Sequence, residues 1–376
     1  MKAVAIFPAD RTVRVIDHPE PAVREATDVR LDVLDVGVCG TDREIARFEY
    51  GTPPPESPYL VIGHESLGEV VETGSAVDTL APGDLVITMV RRPCGRPECP
   101  ACAVGRPDFC VTGQFTERGI NGRHGFMTQR IVDDQRYMIA VPRVLRKVGV
   151  LVEPLTIAEK ALLEVGNVQD RLPWLKSNGS DGGAPRIAAG QSAVVLGAGP
   201  VGLLGALALL VRGFRTWVYS REPASDPKAR WVQSVGAQYI SSADVPVASL
   251  AESVGNIDLI YEATGASQIA FKAMEALGVN GLFILTGVPG HKGPIEIDAD
   301  LIMRNLVLKN QLVYGTVNAG RDAFEAAVAD LVEFHRRWPV PLAALITDRH
   351  PPEDCQALLL GAPSGIKSVV SFVDPR

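Results

Sequence analysis

The run IAAGQSAVVLGAGPVGLLGALALLV, residues 187–211, carries no charged side chain and is long enough to cross a bilayer. Gly197, Gly199, Pro200 and Gly202 interrupt its middle, where a tight turn fits better than a continuous helix. The run therefore reads as a buried strand, a turn and a buried helix. A strand apolar on both faces, followed at once by a helix, belongs to a parallel sheet covered by helices. The sequence beyond it keeps the same alternation: FRTWVYS, a helix over 228–235, then IDLIYEATG and GLFILTGV as further apolar strands.

A chain of 376 residues exceeds what one hydrophobic core usually serves, so two domains are expected. The first 150 residues have a different texture from the segment above. Val29, Leu31 and Val33 alternate with Arg30 and Asp32 as in a half-buried strand, and the pattern then slips to Leu34, Val36 and Val38, which implies a β-bulge before Cys39. ESLGEVVETG and DLVITMV read as more strands, and no clean helical stripe of useful length appears before residue 143. EPLTIAEKALLEV, from about Pro154, is the first long amphipathic helix, and KSNGSDGGAP (176–185) reads as a linker or exposed loop. The expectation is an α/β protein. A β-rich domain takes 1–186 and 311–376, and a doubly wound domain takes 187–310.

Net charge is −7 with no long basic run, which leaves no electrostatic footprint for nucleic acid. The opening MKAVAIFPADRTVRV is too broken by charge and proline for a signal peptide, so a soluble protein of the reducing cytoplasm is expected, with no membrane partner.

Gly197-Ala198-Gly199-Pro200-Val201-Gly202 follows a strand and opens a helix, the context a dinucleotide-binding G-x-G-x-x-G requires. Its glycines permit the turn, the approach of the pyrophosphate and close helix–strand packing. The competing reading is a glycine-rich turn of an unrelated α/β protein. The second strand ends at Tyr219 and Ser220, and Arg221 follows. No carboxylate stands at the strand end, since Glu222 lies past the arginine. An arginine there suits a 2′-phosphate, so NADP is favoured, with NAD as the alternative and a solvated loop arginine as the bland reading.

Cys94, Cys99, Cys102 and Cys110 lie close together in a short, turn-rich segment of about 91–112, a set of four thiolates that fits a structural zinc. A disulfide pair or unligated thiols would be the alternative. Cys39 in GVCGTD, His64 and Glu65 in VIGHESLGEV, and Glu153 in LVEPLT offer a thiolate, an imidazole and up to two carboxylates. A catalytic zinc needs about three protein ligands and one open position. Thr41, two residues beyond Cys39, is placed to carry a proton from an alcohol bound there.

GVCGTD, GHESLGEVVETG, the four-cysteine lobe, LVEPLTIAEKA and GAGPVG together resemble the zinc-dependent medium-chain dehydrogenase/reductase superfamily, along essentially the whole chain. Within it, RRPC, TGQFTERGINGRHGFM, VEPLTIAEKAL and YGTVNAGRDAF are most similar to the glucose dehydrogenases of archaeal type. The resemblance implies a GroES-like catalytic domain, a Rossmann domain and an active site in the cleft between them. It implies that Cys39, His64 and Glu153 hold the catalytic zinc, with Glu65 a ligand or its supporting partner. Glu117 and Asn318, with Glu153, would bind sugar hydroxyls, and Ser220, Arg221 and the glycine turn with Val201 would bind the dinucleotide. Two zinc ions per chain and a homo-oligomer, dimer or tetramer, are expected. The implied reaction is oxidation of an aldose such as glucose at its first carbon. The rival readings are another polyol, cyclitol or secondary alcohol and, more remotely, a non-catalytic NADP-binding sensor or structural protein. The sequence departs from the family in two places. Four residues separate the first cysteine pair where two is commoner, and Val90 stands where some relatives carry a polar residue.

Overall fold

The computed structural model describes residues 1–175, 190–290 and 293–373, so the linker expected at 176–185 lies outside the described residues. Contacts divide the chain into two units, Met1–Thr156 with Asn318–Arg376, and Ile157–Val317.

The first unit is built mainly on a seven-stranded sheet. Its order runs Met138–Val141, Leu85–Thr88, Glu65–Thr73, Asp28–Gly37, Lys367–Ser371, Ile346–His350, and Arg130–Asp134 pairs with the far part of Asp28–Gly37. Asp28–Gly37 is its central strand, and its register against Glu65–Thr73 shifts between Val33 and Asp35. Leu34 is therefore the extra residue, and the slip in the apolar pattern marks that bulge. Val33, Leu34, Val36 and Val38 are all buried as a result. The core gathers Val36, Val38, Ile45, Ile62, Phe126 and Met127 around the ends of these strands. A short helix, Gly40–Ala46, follows the central strand. Seven residues hold too few apolar positions to show a stripe, so periodicity does not reveal it.

The second unit carries six parallel strands in the order Gln238–Ser241, Arg215–Ser220, Ser192–Leu196, Leu259–Glu262, Leu282–Leu285, Leu312–Gly315. Numbered along the chain this is 3-2-1-4-5-6, the doubly wound dinucleotide-binding order. Ser192–Leu196 is buried at every position, as its uninterrupted apolar sequence requires. Leu312–Gly315 pairs in parallel with Leu282–Leu285, which puts residues 311–317 with this unit where the sequence pattern had placed the boundary at 310. Its half-exposed residues belong to an edge strand and lack the apolar run that identifies the inner ones. Among the described residues, no helix is long and apolar enough to cross a membrane.

Candidate active site

The bulged central strand delivers Cys39 to the start of the helix Gly40–Ala46, where it is the N-cap. Asp42, three residues on, accepts a hydrogen bond from the Cys39 amide at 2.8 Å, which fixes the entry into the helix. The other oxygen of Asp42 lies 3.3 Å from Nδ1 of His64. One fully buried carboxylate thus addresses both Cys39 and His64, and leaves Nε2 as the remaining ligand atom of the imidazole. Glu65 follows His64 at the start of its strand, and ligand atoms of Cys39, His64 and Glu65 lie within 4.8 Å of one another.

Glu153, in the first turn of the helix Val152–Gln169, is not part of that compact set. Its carboxyl is nonetheless pushed up to about 7, by burial first and by repulsion from Glu65, with His64 and Lys367 pulling the other way. The pKa of His64 is well above its ordinary value: burial opposes protonation, but Asp42 and Cys39 outweigh it. Thr41 sits on the first turn beside Cys39, partly buried. Cys39, Asp42, Glu65 and Glu153 place four acidic groups around one imidazole. Among the described residues, the ammonium that faces them is that of Lys367, which is paired to Glu65 and donates to the Val38 carbonyl at 3.2 Å. A donor set this rich in negative charge fits a divalent cation.

A second segment packs beside His64. Phe126 donates its amide to the Gly63 carbonyl at 2.8 Å, and Gly119 and Gly125 both lie against Gly63. A Cβ at either would come within 2.3 Å of that carbonyl oxygen, so only glycines let the two backbones touch. This contact carries Glu117 toward the same region of the unit. Oε1 of Glu117 accepts from Arg91 Nε at 3.0 Å and Arg91 Nη2 at 3.0 Å, and from Asn318 Nδ2 at 3.0 Å. The structure therefore brings Glu117 and Asn318 together, and adds Arg91, whose guanidinium also lies 3.7 Å from the Phe115 ring centroid. Behind them, Asp133 binds both Arg92 (2.5 Å) and Arg118 (2.6 Å) in a buried cluster that holds its carboxyl far below the usual range. Val90 is buried in the core at 2% exposure.

The four lobe thiols also converge within 4.8 Å, with Cys99 and Cys110 3.9 Å apart. Two thiolates on a tetrahedral zinc, each bonded at about 2.3 Å, are separated by roughly 3.8 Å. Gly95, within the long first spacing, adopts φ 68°, and that spacing does not prevent convergence. Cys110 is drawn down to about 6: burial opposes this, and the hydroxyl and amide of Thr112 prevail.

In the second unit, Gly197 adopts φ 107° and the helix Pro200–Val211 begins with Gly199 as N-cap, with no side chain capping it. A Cβ on Gly202 would approach the Gly197 carbonyl to 2.2 Å, while one on Gly199 would meet nothing within 4 Å. Uncapped amides behind open space make a cradle that fits a pyrophosphate. Gly197 donates its amide to the Tyr219 carbonyl at 2.8 Å, which ties the turn to the end of the strand Arg215–Ser220. Pro200 and Val201 open the helix, and Arg221 is exposed. One sequence reading is corrected here. Glu222 turns back, accepting from the Ser220 hydroxyl and from Lys228 Nζ at 3.1 Å, so a carboxylate does stand at the strand end. The chain bends at Arg221 and Glu222, which a count of residues past the strand cannot show.

The sequence reading also missed Asp42, Lys367 and Arg91. A capping-box signal three residues past Cys39 could have found Asp42. Lys367 and Arg91 are identified only by what they contact.

Comparison with known proteins bears on this arrangement. The family model for the glucose dehydrogenase C-terminus matches residues 146–372, and that for the alcohol dehydrogenase GroES-like domain matches residues 25–143. The chain is similar to a glucose 1-dehydrogenase of Methanocella arvoryzae, at 38% identity over 99% of each chain. It is also similar to one of Metallosphaera sedula, at 37% identity over 99% of each. Among solved structures it matches Haloferax mediterranei glucose dehydrogenase in complex with NADP, Zn and gluconolactone, with a TM-score of 0.84 and 31% identity, covering 100% of both chains. The chain belongs to the glucose dehydrogenase family, with an alcohol dehydrogenase GroES-like domain in its first part.

Proposed function

We propose that this chain is a zinc-dependent NAD(P) dehydrogenase that oxidises an aldose such as glucose at its first carbon to the lactone. The observation that carries the reading is the convergence of Cys39, His64 and Glu65 within 4.8 Å, in a chain similar end to end to a relative solved with Zn, NADP and gluconolactone. Cys39, His64, Glu65 and Glu153 supply the donors for one zinc ion, and Cys94, Cys99, Cys102 and Cys110 for a second. Held by the first set, a metal would lower the pKa of an alcohol hydroxyl, and a dinucleotide held by the glycine turn would accept the hydride.

The chain's own residues do the rest. Asp42 orients His64 and fixes Cys39. Lys367 neutralises Glu65. Thr41 takes the proton of the reacting hydroxyl. Glu117, held ready by Arg91 and Asn318, accepts from ring hydroxyls, and Asn318 gives a second polar contact. Hydrogen bonds to several hydroxyls discriminate a sugar from a simple alcohol more strongly than an apolar pocket does. The glycine turn holds the pyrophosphate, and Arg221 faces the adenosine end, which favours NADP with NAD also used.

The homo-oligomer belongs to the same proposal. Leu312–Gly315 is an edge strand, and Met303, Val307 and Leu308 beside it expose apolar side chains of the kind a second copy covers. Free thiols throughout the described residues suit a reducing cytoplasm. A panel of aldoses, polyols and secondary alcohols, assayed with both dinucleotides, tests the substrate. Turnover of glucose well above that of simple alcohols is expected. Good turnover of simple alcohols with none of any aldose would overturn the sugar reading and leave the dehydrogenase.

A further inference from the structure

The four-cysteine lobe reaches Glu117 and Asn318 through a closed ring of hydrogen bonds. Within the lobe, the turn Pro107–Phe109 leads directly into Cys110. The carbonyl of Asp108, in that turn, accepts from Arg91 Nη1 at 3.3 Å. Arg91 Nε and Nη2 both donate to Oε1 of Glu117 at 3.0 Å, and the same oxygen accepts from Asn318 Nδ2 at 3.0 Å. Asn318 adopts φ 58°, and its own Oδ1 accepts the Ala319 amide at 2.9 Å, which leaves Nδ2 for Glu117. Four residues on, in the first turn of the helix Arg321–Arg337, Asp322 pairs with Arg106 Nη1 at 3.2 Å. Arg106 closes the ring on the carboxylate of Asp108, through Nε at 3.0 Å and Nη2 at 2.9 Å. The helix start sits directly on this ion pair because residue 320 is glycine. A Cβ there would lie 2.9 Å from Arg106 Nε and 3.2 Å from Asp108 Oδ1.

We propose that Arg106 and Asp108 are positioning residues for the sugar: they hold Glu117 and Asn318 in one place before an aldose binds. The inference rests on the reading of those two residues as sugar contacts. Glu117 and Asn318 stand 201 residues apart in the chain, so their meeting depends on what ties their segments together. The Asp108 carbonyl steadies Arg91 and through it Glu117. The Asp108 carboxylate, through Arg106 and Asp322, steadies the segment that carries Asn318. The Asp108 side chain is fully buried, and Arg106 spans it and Asp322 with a planar fork that a lysine ammonium does not reproduce. Both residues act through the sugar contacts and not at Cys39 or His64, so they set affinity for a polyhydroxy substrate more than the rate of hydride transfer.

Residues that only braced the lobe would, when replaced, lose the lobe metal or harm every substrate alike. The test is steady-state kinetics of the zinc-loaded full chain with glucose and with a simple secondary alcohol, beside metal analysis of each variant. Arg106→Met should raise KM for glucose by about tenfold, with kcat changed much less. Arg106→Lys should recover part of that loss. Asp322→Asn, at the more exposed side of the ring, should give a smaller rise in the same direction. It carries the test if Arg106→Met does not fold. Each folded variant should keep the zinc content of the wild type. An unchanged KM in the variants, equal proportional losses on glucose and the alcohol, or zinc loss with every rise in KM would overturn the proposal and leave the sugar reading standing. A wild type that oxidises no aldose would overturn both.

Discussion

Lys367 and Glu65 form an ion pair in which each side chain is only 1% exposed. The C-terminal strand Lys367–Ser371 makes this possible. It pairs antiparallel with the bulged central strand, Val369 opposite Gly37, and sets its first residue beside the start of the strand that carries Glu65. Removing one partner of such a pair leaves an uncompensated buried charge. Lys367→Met should therefore destabilise the chain by about 3–5 kcal/mol. Adding Glu65→Gln to it should recover part of that loss. Denaturant unfolding of the two singles and the double gives the coupling, and additive losses would show that the pair does not act as a unit.

The lobe thiols give a separate prediction. Structural zinc contributes folding free energy directly, so Cys102→Ser should lose one zinc per chain and lower the unfolding midpoint. The other zinc should stay bound. Metal analysis of purified wild type and variant checks this, and equal zinc content in the two would remove the lobe from the account.

His124 supplies a pH dependence away from both metal sets. Its Nδ1 accepts the Val61 amide at 3.1 Å, and it stacks against Tyr59 with ring centroids 5.2 Å apart. Burial, then the nearby His18 and Arg118, depress its pKa to about 4. On unfolding, the group regains a value of about 6.5. The unfolded chain therefore binds the proton first as pH falls. The stability that His124 confers is complete above about 6.5 and is lost progressively down to about 4. His124→Phe should flatten this part of the stability profile, measured as unfolding midpoint against pH. A slope unchanged by the substitution would place the titrating group elsewhere.

Much of this was legible in the sequence because the signals are local. The uncharged run at 187–211 and the slipped alternation at Leu34 each report on a few adjacent residues, and the structure shows the strand, turn, helix and bulge they imply. The cysteine spacing is local too, and its four thiols converge. The residues that were missed act across the fold. Lys367 meets Glu65 only because a C-terminal strand joins the sheet, and Arg91 meets Glu117 through the pairing of Arg91–Arg92 with Thr116–Arg118. Glu222 was misplaced for a different reason: its side chain returns to the Ser220 hydroxyl across a bend at residues 221 and 222, which residue order does not show.

Glu117 tests the sugar contacts. Glu117→Gln keeps the shape but weakens an acceptor already shared by Arg91 and Asn318. Catalytic efficiency toward glucose should fall by roughly 1–3 kcal/mol of transition-state binding, while efficiency toward a simple secondary alcohol changes little. Equal losses on both substrates would make Glu117 a structural partner of Arg91 and not a sugar contact.

The central claim is that hydride leaves the first carbon of an aldose for the dinucleotide, at the site built by Cys39, His64 and Glu65. Glucose carrying deuterium at that carbon, turned over with NADP by the zinc-loaded wild type and by His64→Ala, tests it most directly. Magnetic resonance should find the deuterium on the nicotinamide ring of the reduced cofactor with the wild type and no label transferred by His64→Ala, although that variant still binds NADP. Label transfer by His64→Ala at the wild-type rate, or deuterium that stays on the sugar while the wild-type cofactor is reduced, would contradict the account.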